Sequence, residues 1–314
     1  MKKVSILIPC YNEEDNVVPI SEAVVKQMQD LPQYDYELIF IDNNSQDTTR
    51  SKIRGLCASN SQIKAIFNAK NYGQFNSPFY GILQATGDCV ILMCCDFQDP
   101  VELIPKYLNE WENGNKIVLC QKTSSKESKL IYHLRSFYYK FMKKHSDIEF
   151  LNQVTGSGLY DRTFVEVMRQ VKDTRPFLRG IVAEMGFDIK LIPFEQPERR
   201  AGKSSNNLMR YLDGAAQSLT AYTKFGCRLA LFGGFFASII SCLGAVGLAI
   251  YKVFHWSIPI SEFILPLAIL ILVSLNMFFI GVVGEYVMDA NLHTRYKPLV
   301  VEAERINFDK DSEI

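Results

Sequence analysis

Short apolar segments alternate with longer amphipathic segments along the first hundred residues. The apolar runs Val4 to Ile8, Glu37 to Ile41, Ile63 to Phe67 and Cys89 to Met93 have the length and β-branched content of buried strands. Helical patterns lie between them, around residues 14–30, 48–59 and 74–86. This βαβαβαβ alternation predicts an α/β domain with a mainly parallel sheet that helices cover on both faces.

The last third of the chain is much more apolar. Leu229 to Tyr251 and Phe263 to Val283 contain no charged residue and are 23 and 21 residues long. Because about 20 residues cross the apolar core of a bilayer, both runs are predicted to be transmembrane helices, which form a hairpin. A buried hairpin of a soluble protein is the alternative. Basic residues flank the pair at its outer ends: Arg210, Lys224, Arg228, Arg295 and Lys297.

This charge distribution predicts that the large domain and both termini are cytoplasmic. The expected organisation is an α/β domain at 1–205, a juxtamembrane helix at 206–228, transmembrane helices at 229–251 and 263–283, and a cytoplasmic tail at 284–314. Within the domain, Lys129 to His145 interleaves apolar and basic residues, as expected of a helix on an anionic membrane surface, although packing against the sheet is equally compatible.

Composition excludes several classes of protein. The 34 basic residues balance the 34 acidic residues, which argues against a nucleic-acid-coating protein, and 48% hydrophobic residues exclude a disordered chain. The eight cysteines include no C-x-x-C pair and are predicted to be reduced thiols.

Each predicted strand ends in an unusually polar string: PCYNEE, DNNSQDTT, NAKNYG and CCDFQDP. Ligands of parallel sheets bind beyond the carboxyl ends of the strands, so these strings are the candidate site. Neither G-x-G-x-x-G nor a P-loop sequence is present. Asp96 and Gln98 instead offer oxygen ligands to a hard divalent cation, whereas Asp99 before Pro100 is predicted to be a helix N-cap.

Five features in order resemble family two glycosyltransferases with the Rossmann-like GT-A fold, and among them the polyprenyl-phosphate glycosyltransferases. They are IPCYNEE, IDNNSQDTT, the D-x-Q-D-P element, the R-x-x-G-K-S string and the two C-terminal apolar runs. The resemblance implies that Asp96 holds Mg²⁺ or Mn²⁺ on the donor diphosphate and that Gln98 assists. It also implies nucleotide-sugar contacts for Pro9, Tyr11, Asn12, Glu13 and Asp42.

Two departures from the family pattern affect this expectation. Cys94 stands where relatives usually have the first Asp of D-x-D, and a thiol is a poor ligand for a hard cation. The metal is then held more weakly or partly replaced by a cationic side chain such as Lys70. Gly156-Ser157-Gly158 stands where many relatives have Asp-Phe-Arg, which removes a carboxylate. Glu184 is a candidate replacement, as a base or a sugar contact.

A phosphate acceptor makes the lost carboxylate tolerable. A phosphate monoester is largely ionised at pH 7, since its second pKa is near ~6, and needs no general base. Catalysis then depends on Asp96 and its metal, and on basic residues such as Arg200. The candidates for gripping the acceptor phosphate are Arg179, Arg199, Arg200, Lys203 and Ser204.

The sequence therefore predicts an inverting glycosyltransferase that moves a sugar, glucose-like and from a UDP-sugar, onto undecaprenyl phosphate at the cytoplasmic face of a bacterial plasma membrane. Glycine pairs in the apolar runs are compatible with a homo-oligomer assembled through the transmembrane helices. Two alternatives stay open. One is a polysaccharide synthase with a sugar-hydroxyl acceptor, and the other is a non-catalytic membrane subunit that binds sugar nucleotides.

Overall fold

The structure is a computed structural model that describes residues 1–124, 154–171, 173–174, 176–197, 199–200, 264–294 and 297–308, with isolated positions between 228 and 254. The chain forms two compact units. The first comprises Met1–Lys140, Ile148–Asn207 and Arg295–Ile314, and the second comprises Phe141–Asp147 and Leu208–Thr294.

Eight strands of the described residues form one sheet in the first unit. The strands are β1 (Lys2–Cys10), β2 (Tyr34–Asp42), β3 (Ile63–Asn68), β4 (Cys89–Leu92), β5 (Ile117–Ser124), β6 (Val154–Asp161), β7 (Ile189–Glu195) and β8 (Glu302–Ile306). Their order is β7-β5-β6-β4-β1-β2-β3-β8. Strand β1 pairs in parallel with β2 and β4, β2 with β3, and β5 with β7. The prediction of a mainly parallel α/β sheet is confirmed.

The helices of this unit follow the predicted alternation. They are α1 (Val17–Gln29), α2 (Thr49–Ser59), α3 (Gly73–Gln84), α4 (Leu103–Glu112), α5 (Arg162–Gln170) and α6 (Leu178–Glu184). All four predicted strands and all three predicted helices are present, with bounds shifted by a few residues. Strand β1 is longer than predicted because it pairs with β2 over its whole length, from Lys2 opposite Tyr34 to Cys10 opposite Asp42.

Two hydrophobic cores lie on opposite faces of the sheet. Side chains alternate between the faces of a strand, so Ile6 of β1 belongs to one core and Leu7 to the other. The first core contains buried residues of α1, α2 and α4, and the second contains buried residues of α3, α5 and α6. Helices therefore cover both faces, and the carboxyl ends of β1, β2, β3 and β4 open on one edge of the sheet.

The prediction that Asp99 caps a helix is wrong. Helix α4 begins at Leu103 with Glu102 at its N-cap, because residues 100–104 first form turns in which Leu103 N–H donates to the Pro100 carbonyl at 3.1 Å. The buried Asp99 carboxylate instead accepts a hydrogen bond from the Cys94 backbone N–H at 3.0 Å. It thus fixes the loop that carries Asp96.

The C-terminal residues return to the sheet of the first unit. Strand β8 pairs antiparallel with β3, with Ile306 opposite Ala65 and Arg305 opposite Ile66. Arg54 of α2 also forms an ion pair with Glu304 at 2.6 Å. Part of the segment predicted as a cytoplasmic tail is therefore an edge strand of this sheet.

The second unit contains the helix α7 (Ile264–Thr294), which starts near the second predicted transmembrane run and extends eleven residues beyond it. Within the part of the chain that the structure describes, no helix has both the length and the apolar character needed to cross a membrane. The predicted interfacial helix at 129–145, nearly all of the juxtamembrane helix at 206–228 and most of the run at 229–251 lie outside the described residues.

Candidate active site

The loops that follow β1 and β2 are tied together at the carboxyl edge of the sheet. The backbone N–H of Asn12 donates to Ser45 Oγ at 2.8 Å, and the N–H of Gln46 donates to Asn12 Oδ1 at 2.9 Å. The N–H of Glu13 donates to Thr49 Oγ1 at 2.9 Å. These bonds hold Asn12 at φ 54°, in the left-handed region that asparagine tolerates better than most residues. Pro9 is partly buried at the end of β1, and Tyr11 is exposed beside the loop.

Asp42 is the last residue of β2, where the second loop begins, and is fully buried. Its carboxylate accepts hydrogen bonds from the N–H groups of Asn44 and Ser45, and an ion pair from Arg50 Nε at 2.6 Å. Arg50 Nη2 also donates to the carbonyl of Asn68 at 2.6 Å. Asp42 therefore connects the ends of β2 and β3 and fixes the backbone of the polar loop between β2 and α2.

Asn43 organises the loop after β3 in the same way. Its amide nitrogen donates to Asn71 Oδ1 at 3.0 Å and to the carbonyl of Gly73 at 3.1 Å, and its amide oxygen accepts from Asn68 and Tyr72. Lys70 lies on this loop, exposed, with its ammonium 5.1 Å from the centre of the Tyr72 ring. Asn43, directly after β2, thus fixes the loop that follows β3.

Asp96 lies on the loop after β4 and is only 5% exposed. Its Oδ1 accepts a hydrogen bond from the backbone N–H of Gln98 at 3.1 Å. Phe97 between them has φ 60°, a conformation that is costly for a bulky side chain and is found mostly where a loop is held by its surroundings. The loop therefore presents the other oxygen of Asp96, Oδ2, away from its own backbone.

Arg199 joins this loop to the loop after β1. Its Nε donates to Asp96 Oδ2 at 2.8 Å, and its Nη2 donates to Glu13 Oε1 at 2.9 Å. The backbone N–H of Arg200 donates to the carbonyl of Asp96 at 3.3 Å, and its guanidinium lies 5.0 Å from the centre of the Phe97 ring. Arg199 and Arg200 are therefore bound directly to the candidate metal loop.

The surroundings of Glu13 oppose its ionisation. Burial raises its pKa above the usual value, and the nearby negative charge of Asp96 adds to that rise. A hydrogen bond from Asn16 and the positive charge of Arg199 lower the pKa in part. The charge of Arg199 thus stabilises two carboxylates that would otherwise repel each other.

These residues fit a hard divalent cation. Adjacent nitrogens of one guanidinium bind Asp96 and Glu13, so the two carboxylates lie side by side, with the amide side chain of Gln98 on the same loop as Asp96. Oxygen donors of this kind suit Mg²⁺ or Mn²⁺. Among the described residues no group of three or more His, Cys, Asp or Glu side chains is arranged to hold a metal.

The two departures from the family pattern lie against each other. Cys94 Sγ is 3.9 Å from the hydroxyl of Ser157, and Gly158 is paired with Leu92 at the end of β4. Burial raises the pKa of the Cys94 thiol well above its usual value, and the negative charges of Asp99 and Asp96 raise it further. The thiol is therefore neutral at physiological pH and adds no negative charge to the site.

The remaining predicted site residues are Arg179, Glu184, Lys203 and Ser204. Arg179 donates to the carbonyl of Val154 at 3.2 Å and packs beside Gly156, where a Cβ would lie 3.5 Å from its Cγ. Glu184 ends α6, is exposed, and forms no hydrogen bond or ion pair with Glu13, Asp96 or Arg199 in the described structure. Lys203 and Ser204 lie outside the described residues.

Sequence reasoning missed Arg50 and Asn43. Arg50 follows Asp42 by eight residues, and it returns to Asp42 only because α2 begins at Thr49 and points its first turn at the strand end. The string DNNSQDTTR contained the signal, since an arginine just inside a helix that follows a buried aspartate can reach back to it.

Comparison with known proteins identifies the family of the chain. The model of the family described as Glycosyl transferase family 2 matches residues 5–186. Bactoprenol glucosyl transferase of Shigella phage SfX is 28% identical over 298 residues, which cover 94% of this chain and 97% of that protein. The prophage bactoprenol glucosyl transferase homolog of Escherichia coli K12 is 27% identical over 94% of this chain and 97% of its own length. Among solved structures, S. aureus TarS residues 1–349 in complex with UDP-GlcNAc has a TM-score of 0.44 at 12% identity, and the match covers 70% of this chain and 66% of that chain.

Proposed function

The chain belongs to glycosyl transferase family 2, and from that premise we propose that it transfers a glucose-like sugar from UDP to a polyprenyl phosphate, undecaprenyl phosphate in bacteria, at the cytoplasmic face of the plasma membrane. Relatives named bactoprenol glucosyl transferase, similar over nearly the whole length of both chains, support the sugar and the lipid acceptor.

One observation carries the proposal: the carboxylates of Glu13 and Asp96 meet the basic segment at Arg199 and Arg200 within a single site. Transfer from a sugar diphosphate to a lipid phosphate requires two anionic groups to approach one another. Oxygen ligands for a cation on the diphosphate and guanidinium groups for the acceptor phosphate are the two kinds of group needed.

A phosphate acceptor accounts for Cys94 and Gly156, neither of which carries a carboxylate of its own, at positions where the family pattern has Asp. An ionised phosphate oxygen attacks the anomeric carbon without giving up a proton, so no general base is required. A bound Mg²⁺ or Mn²⁺ would stabilise the charge that develops on the leaving diphosphate. Asp96, Glu13 and Gln98 would hold it there, and Arg200, against Phe97, would align the acceptor phosphate with the sugar.

Membrane attachment is part of the proposal and is supported by the sequence. The two charge-free runs have the length of membrane spans. Large apolar side chains are exposed along α7, and examples are Leu265, Ile269, Val273, Met277 and Ile280. Exposed apolar surface of this extent suits a lipid environment. The lipid acceptor would then reach the site from the membrane to which the enzyme is anchored.

The direct test is a transfer assay with the full-length protein purified in detergent. Undecaprenyl phosphate, Mg²⁺ or Mn²⁺, and a panel of UDP- and GDP-sugars are supplied, and mass spectrometry detects a glycosylated lipid phosphate. A single lipid-linked hexose product formed from UDP-glucose is expected. Transfer to a glycan hydroxyl with no lipid-linked product, or nucleotide binding with no product from any donor, would reject the proposed acceptor or activity.

The Asp96→Ala variant tests the role of the site in that assay. Loss of at least ~10²-fold in rate is expected, as for removal of a group that stabilises transition-state charge. Asp35→Ala is the matched control, because Asp35 is exposed near the start of β2, at the opposite edge of the sheet. Full activity in Asp96→Ala would refute the metal assignment even if the transfer itself is observed.

A further inference from the structure

Arg199 contacts two carboxylates that come from different strand ends. Its side chain is 26% exposed, whereas those of Glu13 and Asp96 are 11% and 7% exposed. Both hydrogen bonds leave from adjacent nitrogens, Nε and Nη2, so the guanidinium lies with one edge against the two carboxylates. In the sequence, Glu13 is 186 residues and Asp96 is 103 residues away from Arg199.

The guanidinium binds one of the two Asp96 oxygens that a cation would use. Asp96 Oδ1 already accepts the N–H of Gln98, and Arg199 binds the remaining oxygen, Oδ2. A divalent cation bound at Asp96 would face the positive charge of Arg199 at very short range in a nearly buried position, where repulsion between like charges is weakly screened. Arg199 in this place and a cation on Asp96 therefore oppose one another.

The charges of the site also favour competition between Arg199 and a cation. When both are ionised, Glu13 and Asp96 carry two negative charges, of which Arg199 balances one. The neighbouring Arg200 directs its guanidinium to Phe97 and forms no ion pair with a carboxylate in the described structure. Replacing Arg199 by a divalent cation would neutralise both carboxylates and leave a free guanidinium beside the incoming phosphates.

We propose that Arg199 is a built-in counter-ion that occupies the cation position between Glu13 and Asp96 and is displaced when a divalent cation binds there with a nucleoside diphosphate. The displaced guanidinium then exchanges its carboxylate partners for a phosphate group. This role rests on the proposed function for its substrates, but the competition between Arg199 and the cation is a property of the protein alone. It makes Arg199 a positioning residue that sets the affinity of the site for metal.

The test measures binding of Mn²⁺ alone to the full-length protein in detergent, with free Mn²⁺ followed by electron paramagnetic resonance. Arg199→Gln removes the charge and keeps much of the side-chain length, and at least ten-fold tighter Mn²⁺ binding is expected. Arg199→Lys keeps the charge and is expected to stay within about three-fold of wild type. Asp96→Asn introduced into Arg199→Gln should abolish the gain.

Arg200→Gln is the matched control, since it removes an equal charge from the adjacent residue that contacts Phe97. Its Mn²⁺ affinity is expected to change by less than about three-fold. An equal gain in Arg200→Gln would mean that only overall charge matters, and unchanged or weaker binding in Arg199→Gln would overturn the proposal.

A measurement on the wild-type protein covers the case in which Arg199→Gln does not fold. The NMR signal of the Arg199 Nε–H group is assigned by its loss in Arg199→Lys. It should shift when Mg²⁺ and UDP are added together, and a signal that does not move would also overturn the proposal.

The counter-ion role and the proposed reaction can fail independently of each other. Sugar transfer without the Mn²⁺ effect rejects only the counter-ion role, whereas the Mn²⁺ effect without sugar transfer rejects only the proposed reaction.

Discussion

At the scale of single residues, Cys94 brings no charge to the candidate site. Its thiol is neutral, because burial and the charges of Asp99 and Asp96 raise its pKa. Its backbone N–H is held by Asp99. The residue therefore supplies a fixed backbone position and a neutral side chain, and the proposed cation would depend on Asp96.

Cys94→Ser should consequently keep transfer activity within about three-fold of wild type, since a hydroxyl is also neutral and can stay beside Ser157. Initial rates of lipid glycosylation between pH 6 and pH 9 measure this, and neither protein should show a step from thiol ionisation. A loss comparable to that of Asp96→Ala would mean that the thiol is a ligand or a reacting group.

The pKa of Glu37 predicts how the free energy of unfolding depends on pH. Burial alone would raise its pKa, but hydrogen bonds from Lys64, Ser5 and Thr86 lower it to about 2 from the usual 4.5. Lys64 Nζ lies 2.8 Å from the carboxylate. Because the folded-state pKa is lowered, the stabilisation is present above pH 4.5 and is lost as the pH falls from 4.5 towards 2.

The expected loss from this one group is roughly 2 kcal/mol between pH 7 and pH 3. Thermal unfolding of the full-length protein in detergent across that range measures it. Glu37→Gln should be less stable at pH 7 and should show a smaller further decrease on acidification, whereas Glu22→Gln, exposed on α1, should follow the wild type. An identical acid dependence in Glu37→Gln would contradict the assignment.

At the scale of secondary-structure elements, β6 requires glycine where it passes between β4 and β5. Gly158 has φ 152° and pairs with Leu92 on one side and Leu119 on the other. A Cβ at this position would overlap the carbonyl oxygen of Val118 and lie 2.9 Å from the Cα of Leu119. The close pairing of three strands beside the site thus depends on a residue without a side chain.

Gly158→Ala is expected to destabilise the protein by about 3 kcal/mol or more, because both backbone strain and overlap must be relieved. Gly55→Ala in α2 is the matched control. Its added methyl group meets nothing within 4 Å, and alanine in a helix is expected to stabilise by roughly 0.5–1 kcal/mol. Melting temperatures of the two full-length variants compare them, and similar values would refute the packing argument.

At the scale of the whole molecule, the return of the chain to its own sheet constrains membrane topology. Strands β1 to β7 precede residue 196, and β8 at Glu302–Ile306 joins the same sheet. Asn307 then donates to the carbonyls of Cys57 and Ile63 at 2.9 and 2.8 Å. The residues between 208 and 294 therefore leave one compact unit and return to it, so they can cross a membrane only an even number of times.

Tags at the two termini should accordingly be cleaved by protease together. Both should be accessible in inverted membrane vesicles and both protected in right-side-out vesicles, if the catalytic domain is cytoplasmic as proposed. Permeabilised vesicles, in which both tags should be cleaved, are the control. Protection of one tag with cleavage of the other would contradict the return of the C-terminal residues to the sheet.

The sequence by itself determined the parallel core and most of the candidate site. Buried strands and amphipathic helices follow local patterns of apolar residues, and a parallel sheet places its strand ends on one edge. The polar strings around Glu13, Asp42 and Asp96 could therefore be identified as a site before their contacts were known.

The tertiary structure decided the contacts between distant segments. Arg199 binds Asp96, which is 103 residues away in the sequence. Strand β8 pairs with β3 although its sequence, Glu-Ala-Glu-Arg-Ile, has little apolar character. Asp99, which looked like a helix cap, supports the loop before it because α4 begins only at Leu103. Local propensity encodes how a segment folds, but which charge meets which carboxylate depends on how the segments pack, and that is why these features became visible only in the folded molecule.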